Sequence, residues 1–122
     1  MKFHRESTQA LTIRRVERGR IRIGDEHYEE TVALTGEAVI GNVDAPPIDE
    51  LAVADLESLL GTEPEILLLG TGWAQRQPQR EFVFGMARRG IGLEVMDTPA
   101  ACRTFNVLVA EGRRTAALLV ID

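Results

Sequence analysis

Two short stretches of this chain carry the residue types from which a site can be built. Gly70-Thr71-Gly72 follows an apolar run and offers backbone N–H groups that no side chain obstructs. The segment opening at Asp97-Thr98 offers a helix N-terminus, where unpartnered N–H groups and the helix dipole favour an anion. Arg103 stands about one and a half turns into that helix, where a cation opposes the dipole. An anionic ligand or partner would account for it, and so would a salt bridge to Asp97 or another nearby acid. Trp73, the only tryptophan, adjoins the glycine loop among Gln75, Arg76 and Gln77. It reads either as an aromatic anchor for a partner or as a lid over the strand end.

Cys102 and Asn106 are spaced i, i+4 and share one helix face. A thiol near a helix N-terminus can lose its proton easily and act as a nucleophile or redox sensor. No histidine is placed to serve it, since His4 and His27 fall in the N-terminal part. Beside Ala101, Phe105 and Val109 it reads as a small buried hydrophobe, and Asn106 as the hydrogen-bond partner of a backbone loop. A dinucleotide reading of Gly70-x-Gly72 with Asp97 as a ribose-binding acid meets three obstacles. Gln75 stands where a third glycine belongs, Pro78 delays the helix, and 122 residues cannot supply two nucleotide-binding halves. No Cys/His spacing suits a metal, no triad or P-loop pattern occurs, and no cofactor is implied.

The elements that must position these residues follow from hydrophobic periodicity. Ile66-Leu67-Leu68-Leu69 is an unbroken apolar run, as in a strand buried on both faces. Pro78 opens a helix with an inward stripe of Phe82, Val83, Met86 and Ala87, closed by Gly90. Residues 91–96 form the next strand. Thr98 caps the following helix with Pro99 at its first position, Ala101, Phe105 and Leu108 face inward, and Gly112 ends it. Residues 116–121 form the last strand. If strands 66–69 and 91–96 are parallel neighbours, the two candidate loops lie side by side beyond their carboxyl ends, where ligands of α/β sheets sit.

Upstream, Val53, Leu56, Leu59 and Leu60 mark a short helix ended by Gly61. Asp44-Ala45-Pro46-Pro47 separates it from a run of short antiparallel strands: Leu11, Ile13 and Val16, then Ile21 and Ile23, then Tyr28 to Leu34, then 38–43. The expectation is one domain over residues 1–122: antiparallel strands over about 9–43, then an α/β core over about 48–122. It amounts to a three-layer α/β fold, with helices on a mixed central sheet and a small antiparallel N-terminal layer.

Charge is unevenly spread within a net −5. Residues 1–22 hold seven Lys/Arg and two acids, and residues 23–70 hold twelve acids and no Lys or Arg. So acidic a middle repels phosphates, which argues against nucleic acid as a partner. The arginines at 14, 15, 18, 20 and 22 read as the wet face of strands paired with the acidic middle, or as a contact for an anionic partner. One cysteine allows no intrachain disulfide, which fits a reducing compartment. With no signal-like start and no apolar run of about 20 residues, the expected location is cytoplasmic, without a membrane span. Exposed strand edges in the N-terminal layer leave room for a homodimer.

GTG at 70–72, IGLEV at 91–95 and above all MDTPAACRTFNVLVAEGR at 96–113 resemble a small α/β family of largely unknown activity. That family includes mitochondrial NADH:ubiquinone oxidoreductase complex assembly factor 3 and the adipogenesis-associated domain protein. The resemblance covers most of the chain and is sharpest over 65–121. It implies a three-layer fold around a mixed sheet, no established catalysis and a role in assembling respiratory complexes. Two departures stand out: this sequence shows no mitochondrial targeting extension, and Pro99 replaces an expected glycine or other small residue. The sequence thus points to a non-catalytic binding or assembly module with a protein partner. Its surface would comprise Gly70, Thr71, Gly72, Trp73, Thr98 and Arg103. The alternative is an enzyme taking a small anionic substrate or cofactor at the same loops.

Overall fold

The computed structural model describes residues 11–122, so His4 lies outside it. Eight strands form two sheets: β1 (Ile13–Glu17), β2 (Arg20–Ile23), β3 (Glu26–Tyr28), β4 (Val32–Thr35), β5 (Val39–Asn42), β6 (Ile66–Gly70), β7 (Gly92–Met96) and β8 (Thr115–Leu119). The first three make a small antiparallel sheet, and the others a mixed sheet ordered β5-β4-β8-β6-β7. β6 runs parallel to both β7 and β8, and β4 runs antiparallel to β8 and β5. The three-layer α/β expectation is met, with one redistribution. β4 and β5 are part of the central sheet rather than the N-terminal layer. Residues 28–34 are not one strand: β3 and β4 belong to different sheets. Val32, Ala33 and Leu34 are all buried in succession because β4 is covered on both faces.

Alternate side chains of the central strands supply two cores. Leu67, Leu69, Ala116 and Leu118 meet Ile48, Leu51, Leu56, Leu59, Leu60, Phe82 and Met86 on one face. The covering elements there are the turns over residues 48–56, α1 (Glu57–Leu60) and α2 (Arg80–Arg88). Leu68, Ala117 and Leu119 meet Ala101, Cys102 and Phe105 of α3 (Thr98–Ala110), together with Ile13, Ile21 and Ile23 of the small sheet. The inward face of α2 differs from its expected stripe. Phe82, Gly85 and Met86 are buried, whereas Val83 and Ala87 are exposed. Gly85 explains the rotation, because a Cβ there would stand 2.6 Å from Val53 Cγ2. Only a glycine lets the 53–56 turn approach the helix so closely.

One departure from strict alternation in the small sheet has a single physical cause. Ile13 pairs with Ile23 and Val16 with Ile21, so both face inward although three positions apart. A β-bulge absorbs the extra residue between Ile13 and Arg15. Asn106 of α3 then secures the strand: its Oδ1 accepts from Ile13 N–H at 2.9 Å, and its Nδ2 donates to Ile13 C=O at 2.9 Å. One side chain thus completes β1 as a neighbouring strand would. Replacing it strands both backbone groups of Ile13. Asn106→Ala is expected to cost about 1–3 kcal/mol in urea denaturation. Hydrogen exchange at the Ile13 amide should accelerate more than at Leu68, and equal protection in variant and parent would contradict this role.

Candidate functional site

β6, α2 and β7 form a parallel strand–helix–strand unit, which brings the Gly70 loop beside the start of α3. The two loops then bond chiefly to each other. Thr98 N–H donates to Gly72 C=O at 2.7 Å, and Thr71 N–H to Met96 C=O at 2.9 Å. The Thr98 hydroxyl accepts from Gly72 N–H at 2.8 Å and donates to Val120 C=O at 2.7 Å. Thr98 is therefore not the helix cap. Asp97 is, its Oδ1 accepting from Ala100 N–H at 2.9 Å, with Pro99 one position later than expected. Both residues suit an N-cap, and the competition for Thr98 from Gly72 and Val120 decides which one serves.

Each glycine of the loop answers a separate constraint. A Cβ on Gly70 would lie 3.0 Å from both Thr98 Oγ1 and Leu119 Cδ2 and 3.1 Å from Ala101 Cβ, so its smallness lets α3 rest on the sheet. Gly72 has φ +97, and a Cβ there would come 2.6 Å from Asp122 Oδ2. Between them Thr71, buried, folds its hydroxyl inward, donating to Ala74 C=O at 2.8 Å and accepting from Arg76 N–H at 3.1 Å. Trp73 N–H donates to Asp122 Oδ1 at 3.0 Å. The N–H groups of Thr71, Gly72, Trp73, Thr98 and Ala100 are consumed within the protein.

The remaining candidates separate into surface and core. Trp73 is half-buried, and the Arg18 guanidinium lies 5.5 Å from the centre of its ring, a cation–π contact between the β1–β2 turn and the loop. Arg103 is exposed and makes no ion pair among the described residues, while Asp97 is engaged as the cap. Cys102 is buried at 2% exposure. Burial pushes its thiol up to about 12, and the nearby Arg103 pulls it down only in part. A buried thiol held protonated at neutral pH is a poor nucleophile.

An open concavity lies beside the closed loops and shares Thr71 with them. A cavity of ≈ 570 Å³ is bounded by Thr31, Pro46, Pro47 and Asp49 on one side and Thr71, Arg76, Gln77, Val120 and Asp122 on the other. Its floor is Leu118 of β8. The proline pair and the polar run after Gly72 were legible as signals. Their juxtaposition depends on β8 lying between β4 and β6, which no local pattern shows.

Two expectations follow from this geometry. Thr98→Val removes the hydroxyl but keeps the shape, leaving Gly72 N–H and Val120 C=O unpaired; a loss of about 1–3 kcal/mol in chemical denaturation is expected. The folded Cys102 thiol titrates near 12 against an ordinary 9.0, so the unfolded chain releases this proton first as pH rises. Stability carried by the protonated thiol is complete below pH 9 and declines between there and about 12. Cys102→Ala should flatten that decline in melting profiles, and the native thiol should react with a thiol-specific reagent only after denaturant is added.

Comparison with known proteins places this geometry. Residues 13–120 match the family described as protein of unknown function (DUF498/DUF598). The 13 kDa major membrane protein of Francisella tularensis is 30% identical over 104 residues, covering 84% of this chain and 85% of that protein. Human NADH dehydrogenase (ubiquinone) 1 alpha subcomplex assembly factor 3 is 47% identical over 62 residues, which are 51% of this chain and 34% of the human protein. Among solved structures, a Bordetella parapertussis protein superposes with TM-score 0.86 at 32% identity, covering 94% of this chain and 98% of that one. A Bordetella pertussis protein described as a Mth938-like domain gives 0.76 at 27% identity, covering 100% and 93%. The chain belongs to the family of proteins of unknown function DUF498/DUF598.

Proposed function

We propose that this protein is a non-catalytic binding module that helps assemble respiratory or other membrane protein complexes, and that it works in the cytoplasm. One observation carries the reading: the loop donors are engaged internally while Trp73 stays half-exposed beside them and Arg103 is exposed on the helix that the loop holds. Such a locked frame presents side chains rigidly, which lowers the entropy lost on docking a partner. An aromatic ring braced by an arginine, as Trp73 is by Arg18, is a recognised type of interface anchor. The partner's complementary surface would carry carboxylates. Relatives named as assembly factors for NADH dehydrogenase support the class of activity, and the Francisella relative's name supports a link with membranes. No helix among the described residues is long and apolar enough to cross a membrane.

The test is capture of respiratory-complex subunits by the tagged protein, quantified by mass spectrometry. Trp73→Ala and Arg103→Ala are each expected to lower recovery of the same subunits about tenfold, as befits an anchor contributing 1.4 kcal/mol or more. Unchanged recovery in both variants would end the proposal.

A second reading has its own support in the cavity beside Thr71, which is large enough for a small ligand and offers Arg76 to an anion. A thermal-shift screen of nucleotides and phosphosugars separates the two readings. Stabilisation by one compound, abolished in Arg76→Gln, would favour a small-molecule enzyme or sensor there.

A further inference from the structure

The outer face of the small sheet arranges its charges in a way that packing does not require. In register, Arg15 stands directly opposite Arg22, and Arg22 directly opposite His27; Glu17 stands opposite Arg20. Like charges at directly opposed positions destabilise an antiparallel pair. The bulge in β1 creates this row. Without the extra residue, the alternation that buries Ile13 would turn Arg15 inward and Val16 outward. Asn106 holds the strand at that bulge.

The acidic middle of the chain does not neutralise the row. Glu57 pairs with Arg89 at 3.1 Å, and Glu65 with Arg113 at 2.7 Å and Arg114 at 3.4 Å. The expected pairing of the N-terminal arginines with that middle is thus largely replaced by pairing with later arginines. Among the described residues only Asp25 reaches back, 3.5 Å from Arg22 with its side chain 93% exposed. Glu17 takes Arg15 Nε at 2.8 Å, and Gly24 C=O takes Arg22 Nε at 3.1 Å. Arg20 has no ion pair among the described residues. Two carboxylates therefore face three guanidinium groups and an imidazole. The five side chains Arg15, Glu17, Arg20, Arg22 and His27 line a concavity of ≈ 280 Å³.

We propose that this concavity binds a small soluble oxyanion of the phosphate class, a molecule bearing a phosphoryl or pyrophosphoryl group. Arg15 and Arg22 grip it, with Arg20 and His27 at the rim. The planar guanidinium matches two phosphate oxygens at once, and Arg15 keeps its terminal nitrogens available after Nε is taken. A lipid surface suits the site less well. Among the described residues, none of the exposed large apolar side chains, Ile40, Val83, Phe84 and Val107, lies on β1 to β3 to enter a membrane. A net charge of −5 also opposes a long polyanion.

The probe is inorganic pyrophosphate, titrated into the 15N-labelled full chain at constant ionic strength. Saturable shifts at the amides of Arg15, Arg22 and His27 are expected. Arg15→Gln and Arg22→Gln should each raise the dissociation constant at least about tenfold, the loss of one charge-assisted bidentate contact. Arg103→Gln and Arg76→Gln should bind as the parent does. The ion pairs lost with Arg15 and Arg22 are at the surface, so all four variants should melt as the parent does, which separates a loss of binding from a loss of folding. Equal shifts from chloride at matched ionic strength, unsaturable shifts, or undiminished binding by Arg22→Gln would overturn the proposal. So would loss of binding in Arg76→Gln, which would place the anion in the cavity by Thr71. Sedimentation with phosphatidylglycerol–phosphatidylcholine vesicles, abolished by Arg22→Gln but not displaced by pyrophosphate, would overturn it in favour of a membrane surface.

Discussion

The hydroxyl of Thr98 is the contact on which the rest of the site depends. Buried at 2% exposure, it accepts from the loop after β6 and donates to the segment after β8 while its own backbone begins α3. A hydroxyl has one proton to give, and here both roles are filled by backbone groups that would otherwise be orphaned in the interior. Three consequences follow. Gly70 must lack a side chain so that α3 can come close enough. Gly72 must take positive φ to aim its N–H at the hydroxyl. Asp97 must cap the helix because Thr98 is occupied.

That arrangement gives the glycine loop a different meaning from the one its composition suggests. Exposed N–H groups on a glycine-rich turn are the raw material of an anion cradle. In this protein the same groups are spent on Thr98, Met96 and Asp122, and the loop becomes a joint between two strands and a helix. Adjacency of the two loops was legible, because a parallel strand–helix–strand unit must place successive strand ends together. Whether the donors of the glycine loop are free was not, because the acceptors come from residues 96, 98 and 122, none of them local to that loop.

The fold was legible to a similar depth. Ile66 to Leu69 and the helix opening at Asp97-Thr98 carry strong local signals, an unbroken apolar run and a cap followed by proline. Val32-Ala33-Leu34 carries a weaker one. Its partner in the sheet is β8, more than eighty residues later, and only that pairing shows why three successive side chains are buried. The bulge beside Arg14 was hidden for a related reason. The spacing of Ile13 and Val16 fits neither a helix nor a regular strand, and the extra residue is interpretable only against the register of β2. Cys102 was ambiguous because a helix N-terminus lowers a thiol pKa while burial raises it, and the magnitude of burial is a property of the folded core.

Helix α3 links these features. Its first residue closes the joint between β6 and β8, and Asn106, two turns on, completes β1. The core between them holds Ala101, Cys102 and Phe105 against Leu68, Ala117 and Leu119. A substitution on the buried face of this helix, at Thr98, Ala101, Cys102 or Phe105, therefore reaches the joint and the packing on either side of it, whereas Arg103 on the same helix is exposed. Substitutions at the periphery escape that ambiguity. Arg22 reports on the basic sheet face, Arg76 on the cavity, and Trp73 with Arg103 on the joint's outer surface, each through atoms that the fold itself uses little. Charge pairing bears on the basic face in the same way. Because later arginines pair with Glu57 and Glu65, the cationic row keeps its field, and it adjoins the Trp73 surface through Arg18 of the β1–β2 turn.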